Sequence, residues 1–420
     1  MDTRADRFPL FDSLRAIAAL MVISSHIASF GGVAAEGGTV RPYTGGFAVA
    51  VPIFLLISGF LLYRPFAAAR MRGNPMPSIK AYGWRRVLRV VPAYWVALTV
   101  VGVWLGSRYL FPAGDFPADI FSGTGFVAYY GFGQIYSDGT RGGGIPQAWT
   151  LDSEVVLYLA LPLFALLAFW LMRRYALTWR DEVWLLVGVI VLSWVYKVVV
   201  VATDGEATIP VTPEAFFSAM PAYADHFALG MLLAVASLVV ASRNEEPRWV
   251  ASLDRRPWIP WLIAFVTYLF LVKGIGMDGA SNEEMTPTQY FVRHALFAVI
   301  ALGLLLPAIF GDFQRGWVRK LLGNRALLHF GMVSYGVYLW HLALLMQLTR
   351  WDWAETGSTI ERWLLWLPAV VLGGWLLGSL SYYIVERPAL SLKRLVPDRR
   401  TAPDQPGAVS APSAPPTLRS

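Results

Sequence analysis

The chain has 420 residues, 56% of them hydrophobic and only 15% charged, with a mean hydropathy of +0.50. Soluble domains carry about a quarter charged residues, so much of this chain cannot face water. The absence of cysteine excludes disulfides, thiolate nucleophiles and cysteine metal sites. The net charge of +7 does not mark nucleic-acid binding, because the basic residues fall in loops that alternate along the chain.

Crossing about 30 Å of hydrocarbon takes about 20 mostly apolar residues. Ten windows qualify: 10–31, 45–65, 88–106, 149–171, 183–202, 216–240, 258–273, 290–311, 326–348 and 363–386. The seventh is short. The first contains Asp12 and Arg15 and no cleavage site follows it, so it is expected to be a retained helix rather than a signal peptide. The glycine-rich aromatic stretch from Ile120 to Tyr136 reads as a re-entrant or interfacial segment. Alternate loops carry Arg4 and Arg7; Arg64, Arg70, Arg72 and Lys80; Arg173, Arg174 and Arg180; Arg243, Arg248, Arg255 and Arg256; then Arg315, Arg319, Lys320 and Arg325. The intervening loops are poor in basic residues and often acidic, with Asp204, Glu206 and Glu214 in one and Asp278, Glu283 and Glu284 in another. Under the positive-inside rule this alternation predicts an all-α, polytopic helical bundle of about ten transmembrane helices with both termini cytoplasmic, and an odd count would break it. Residues 1–390 form the membrane-embedded domain; 391–420 read as a disordered cytoplasmic tail, rich in Pro, Ala and Ser from about Pro397.

Charges inside a span are costly and by default functional. In the first window Arg15 and His26 are eleven residues apart, which at about 100° per residue returns to within about 20° of the start, with a rise of about 16 Å. Arg15 suits an anionic group and His26 suits proton transfer. A snorkelling arginine plus a packed histidine would give the same pattern. In the second window Ser58-Gly59 reads as a close-packing pair more than as a nucleophile. Arg85, Arg86 and Arg89 open the third window; positive-inside topology explains them, and so does a phosphate clamp for a nucleotide-bearing donor such as coenzyme A. Glu154 and Tyr158 share a face of the fourth window, and Glu154 is expected at the depth of His26, orienting it, unless Asp152 and Glu154 simply meet water at the helix mouth. The ninth window places Tyr338 and His341 as i,i+3 neighbours. Asp225-His226 in the sixth window reads as a proton relay or a mutually satisfied pair, His294 and His329 as interfacial, and Glu386-Arg387-Pro388 as the close of the tenth. No histidine pair has metal-ligand spacing with a carboxylate on one helix, so no metal is expected.

Taken in order, these elements resemble the acyltransferase-3 family of bacterial integral membrane acyltransferases. They are Asp12-x-Leu14-Arg15 with His26; Phe54 through Ser58-Gly59-Phe60; Arg85-Arg86-x-x-Arg89 with Pro92-x-Tyr94; and Trp149-Thr150-Leu151-x-x-Glu154 with Tyr158 and Pro162. Ser334-Tyr335 with Tyr338-Leu339-Trp340-His341, and Glu386-Arg387-Pro388, complete the set. Departures are Thr150 in place of a common serine, Val155-Val156 in place of a polar residue, and His226 before Gly230. The resemblance implies transfer of an acyl group, commonly acetyl from acetyl-coenzyme A, to a hydroxyl of a carbohydrate, glycolipid or glycosylated metabolite at the bacterial plasma membrane. It implies no permanently bound cofactor. By the resemblance His26 is the catalytic histidine, with Arg15 and Glu154 as partners. Arg85, Arg86, Arg89 and Arg15 then face the acyl-CoA donor, and Asp12, Ser58, Tyr158, Tyr338 and His341 the substrate. A proton-coupled secondary transporter would also bury Arg, His and Glu in ten helices, and a lipid-linked sugar polymerase or flippase would carry a long basic outer loop; residues 107–148 contain only Arg108 and Arg141.

Overall fold

The computed structural model describes residues 8–30, 41–106, 118–137, 139–204, 219–275, 285–351, 353 and 359–397. The expected disordered tail beyond 397, Arg4, Arg7 and most of the acidic loop residues lie outside these. Each of the ten windows forms a helix: α1 Leu10–Phe30, α2 Ala50–Met71, α3 Ile79–Trp104, α4 Trp149–Tyr175, α5 Trp179–Asp204, α6 Met220–Ala241, α7 Trp258–Gly274, α8 Pro287–Ile309, α9 Ser334–Arg350 and α10 Thr359–Ser381. Eight are long and apolar enough to cross a bilayer. With α9 and its lead-in helix Arg325–Met332 the count reaches nine, and α7 is a shorter apolar helix. Leu159, Leu163, Trp184, Leu192, Leu372 and Leu376 are exposed, the apolar outer surface that a lipid-facing bundle presents.

Local sequence sets several boundaries. Ser78 caps α3 by accepting from the Ala81 N–H at 3.3 Å. Thr286 and Gln289 form a reciprocal capping box on α8, with Pro287 in its first turn. Ala176 takes a left-handed conformation (φ +52°) to end α4, and the Thr178 backbone and hydroxyl donate to Asp181 at 2.7 and 2.9 Å as α5 begins. The ninth window, read as one straight span, is broken at Val333 into two helices at 76°. The bend seats Gly331 on α1: a Cβ there would lie 1.6 Å from the Asp12 carbonyl oxygen, so only glycine permits the contact. The tenth window ends in a π-turn over Tyr382–Glu386, followed by the short helix Arg387–Ser391 and a 3-10 turn through Leu395. The wider turn precedes Pro388, which cannot donate to an α-helical ladder. Residues 391–395, assigned to the tail by composition, are therefore still helical, and Trp84 donates to the Leu392 carbonyl at 3.0 Å.

α2 and α6 cross closely. A Cβ on Gly59 would lie 2.2 Å from the Phe227 carbonyl oxygen, and one on Gly230 would lie 2.2 Å from that of Leu56. Ser58-Gly59 is thus a packing device, as its sequence indicates. The Ile120–Tyr136 stretch holds a short helix, Gly123–Tyr130, tied into the bundle by Asp152, whose buried carboxylate accepts from the Ile135 N–H at 3.1 Å. On another face Arg319, fully buried, joins Asp254 at 2.8 Å and the Pro307 and Phe310 carbonyls at 2.9 and 2.6 Å.

Candidate active site

Two polar groups lie inside the bundle, one toward the Arg15 end of α1 and one toward its His26 end. At the first, Asp12 accepts from Arg15 at 2.9 Å. Arg15 is within electrostatic reach of Arg89 and Tyr158. Ser58 donates to Glu154 at 2.9 Å, and the Tyr158 hydroxyl lies beside both. The Arg86 guanidinium lies 5.9 Å from the centre of the Tyr158 ring, and its buried Nε has no hydrogen-bond partner among the described residues. Arg89 pairs with Glu386 at 2.8 Å and lies over the Tyr335 ring at 5.6 Å. Arg85 is half-buried on the same helix. Arg86 and Arg89, three residues apart, turn one face of α3 toward the bundle.

At the second, His26 Nδ1 lies 2.8 Å from His341 Nε2. The rings are within 8° of coplanar with centres 5.0 Å apart, the edge-to-edge arrangement of an in-plane N–H···N bond, since stacked rings with so short a nitrogen contact would have closer centres. His341 is fully buried, and its Nδ1 faces the carbonyls of Tyr338 at 2.8 Å and Val337 at 3.1 Å. Phe30 packs edge-on against His26. Tyr338 donates to the Gln147 carbonyl and meets Thr150 at 2.8 Å, while Gln147 returns bonds to the Tyr338 and Leu339 carbonyls at 3.0 and 3.2 Å. These contacts fix the start of α4 against α9, beside His341.

The expected alignment of His26 by Glu154 is not what the helices provide. His26 pairs with His341, and Glu154 with Ser58 and Tyr158. The reason is depth. Asp152 and Gln147 seat the start of α4 inside the bundle rather than at its rim. Four residues from Thr150 to Glu154 and three from Tyr338 to His341 then separate carboxylate and imidazole by on the order of 10 Å. Nor is Asp152 at a water-facing mouth, since it is fully buried.

A third group was only partly legible. His294, expected at the interface, is buried and lies 2.9 Å from Asp225 Oδ2; Lys197 reaches the same oxygen at 2.7 Å, His294 at 2.9 Å and the Ala222 carbonyl at 3.1 Å. His226 Nδ1 is 3.2 Å from Asp225 Oδ1. Donor atoms of Asp225, His226 and His294 lie within 4.8 Å of one another, close enough to share an ion. Single-helix spacing could not find this set, because α6 and α8 each supply part of it. Lys197 of α5 already places a cation against two of the three, so a metal there would meet like charge in a low-dielectric site. The group thus joins three helices as an ion-paired staple. Lys197 carries a sequence signal, the lone charge of the fifth window, five residues from its end.

The helical bundle places arginines and a carboxylate toward one end of α1 and paired imidazoles toward the other, the arrangement of a membrane-embedded helical protein with polar groups in its interior. The chain matches the acyltransferase-3 family, described as an acyltransferase domain, over residues 9–382, and belongs to it. It is a multi-pass membrane acyltransferase, which sets aside the transporter and polymerase alternatives. It is 28% identical over 367 residues to Nodulation protein 10 of Rhizobium leguminosarum bv. viciae, covering 84% of this chain and 85% of that one. It is 24% identical over 388 residues to the putative peptidoglycan O-acetyltransferase YrhL of Bacillus subtilis, covering 90% of this chain and 54% of the relative. It is 23% identical over 386 residues to the peptidoglycan O-acetyltransferase OatA of Listeria monocytogenes, covering 90% of this chain and 55% of the relative. The chain therefore spans about half the length of these two peptidoglycan relatives. No solved structure matches it.

Proposed function

We propose that the protein moves an acetyl group from acetyl-coenzyme A to a hydroxyl of a carbohydrate, in a cell-wall glycan, glycolipid or glycosylated metabolite, across a bundle whose termini both face the cytoplasm of a bacterial plasma membrane. The observation that carries this reading is the pairing of His26 with His341 in a chain of this family. It leaves His26 Nε2 without a hydrogen-bond partner among the described residues, as a base needs. Arg86 is the best-placed phosphate contact, since its buried Nε–H lacks a partner among the described residues and a phosphate oxygen of the acyl donor would accept from it. Arg89 is partly neutralised by Glu386, and Arg85 extends the positive face. The acyl arm then runs past Arg15 toward His26.

At His26, Nε2 takes the acceptor hydroxyl proton as that oxygen forms its bond to the thioester carbonyl carbon. The C–S bond breaks, and the imidazolium returns the proton to the departing coenzyme A thiolate. Attack by Nε2 on the carbonyl, giving an acyl-histidine first, uses the same lone pair. The test is to incubate purified protein with acetyl-labelled acetyl-coenzyme A and a membrane or metabolite extract. Label in a base-labile O-ester of a carbohydrate is the expected product. No transfer to any carbohydrate-containing fraction by active, folded protein overturns the reading, and label retained on His26 selects the two-step route.

A further inference from the structure

We propose that His341 sets the tautomer of His26 and receives its excess proton during transfer, so that the two imidazoles work as one relay. Its role in catalysis rests on the function proposed above; its resting hydrogen-bond state does not. A backbone carbonyl can only accept. His341 Nδ1, 2.8 Å from the Tyr338 carbonyl and 3.1 Å from that of Val337, must therefore carry a hydrogen and donate. In the neutral ring this leaves Nε2 with the lone pair. His341 Nε2 then accepts from His26 Nδ1 at 2.8 Å, and that nitrogen must carry the hydrogen. The remaining nitrogen of His26, Nε2, is left as the unprotonated base. Two backbone carbonyls thus determine, through two rings, which nitrogen of His26 can react.

The same wiring handles the charge. When His26 Nε2 takes a proton, the imidazolium donates Nδ1–H toward His341 Nε2. Moving that proton by less than an ångström puts the charge on His341, whose Nδ1–H already rests on two carbonyl oxygens. The reverse shift restores His26 as the leaving thiolate is protonated, so no net proton is stored. The ring planes 8° apart allow this shift, because donor hydrogen and acceptor lone pair lie in a common plane. A carboxylate in the place of His341 would fix the same tautomer but add a permanent charge. A second imidazole supplies the acceptor without one, which suits a fully buried position.

The chain has only five histidines, so 15N-histidine NMR of the intact, detergent-purified protein can resolve them individually. His26 should show a protonated Nδ1 and an unprotonated Nε2, with His341 in the same tautomer. A resting His26 protonated at Nε2 overturns the proposal without reference to activity. His341→Leu removes the acceptor and should release His26 to the other tautomer, lowering kcat about 10²–10⁴-fold with little change in donor KM, the scale of losing an orienting partner or tautomer. His341→Gln places an amide oxygen near the lost Nε2. It should restore the His26 tautomer but not the relay, leaving the rate between wild type and His341→Leu. Wild-type kcat in folded His341→Leu, or no difference between Leu and Gln in either readout, also overturns it. The expected NMR pattern in a protein that transfers no acetyl group would instead leave the dyad standing and remove the function.

Discussion

The Arg89–Glu386 pair makes an asymmetric prediction. Glu386 is fully buried in its side chain and Arg89 is 26% exposed. Among the described residues Glu386 Oε1 has no hydrogen-bond partner, so Arg89 compensates that carboxylate. Arg89→Leu strands the carboxylate in a dry site, a loss of about 3–5 kcal/mol by the measure of broken buried pairs. Glu386→Gln leaves a guanidinium that reaches water, lies over Tyr335 and still finds a side-chain oxygen, so its cost should be about 1 kcal/mol. The double variant Arg89→Leu/Glu386→Gln holds no stranded charge and should be no less stable than Arg89→Leu alone, giving a coupling of at least about 1 kcal/mol in a double-mutant cycle. Thermal and denaturant unfolding of the purified variants in one detergent measures all four corners. Equal losses for Arg89→Leu and Glu386→Gln, or additive losses in the double variant, would refute the view that this pair is a buried structural bond.

Arg86→Gln should weaken coenzyme A binding about 10- to 100-fold by titration, the worth of one charge-assisted phosphate contact of about 1.5–3 kcal/mol, and leave unfolding unchanged; unaltered affinity would reduce Arg86 to a topology signal. His26→Gln keeps bulk and a hydrogen bond but cannot titrate, so acetyl transfer should fall to background at wild-type yield of folded protein, and retention of more than about a tenth of the rate would remove His26 from the chemistry. Reporter fusions after Arg174, Arg256 and Arg325 should register the cytoplasm and those at Gly205 and Asp278 the outside, since each follows from the alternating loop charge; reversal at two sites would overturn the orientation.

The ten helices were legible because bilayer thickness imposes a length and hydropathy requirement that eight of the segments meet by themselves, with α7 shorter and α9 reaching it together with its lead-in helix. Where the sequence fell short, a neighbouring helix decided. The bend at Val333 depends on Gly331 meeting the Asp12 backbone, and nothing in 326–348 alone records that contact. The displacement of Glu154 from His26 comes from Asp152 and Gln147, which draw the start of α4 inward through bonds to Ile135 and Tyr338. Periodicity assigns a face within a helix but not its depth against another.

The histidine pair shows what this means for chemistry. His26 and His341 are separated by 315 positions, and each by itself is a lone intramembrane histidine that packing would explain. The carboxylate on α4 was the natural partner for a catalytic imidazole, because carboxylates are the commonest orienters of histidine bases. Yet a carboxylate needs compensation at such depth, and Glu154 finds it among Ser58 and Tyr158, close to the arginines of α3. Near His341 the acceptors at hand are helix carbonyls, which are neutral and require no counter-charge. In the proposed relay, anchored on the Tyr338 and Val337 carbonyls, the resting pair therefore carries no charge in a low-dielectric interior, and the Arg86 and Arg89 side chains lie toward the other end of α1 from the two imidazoles.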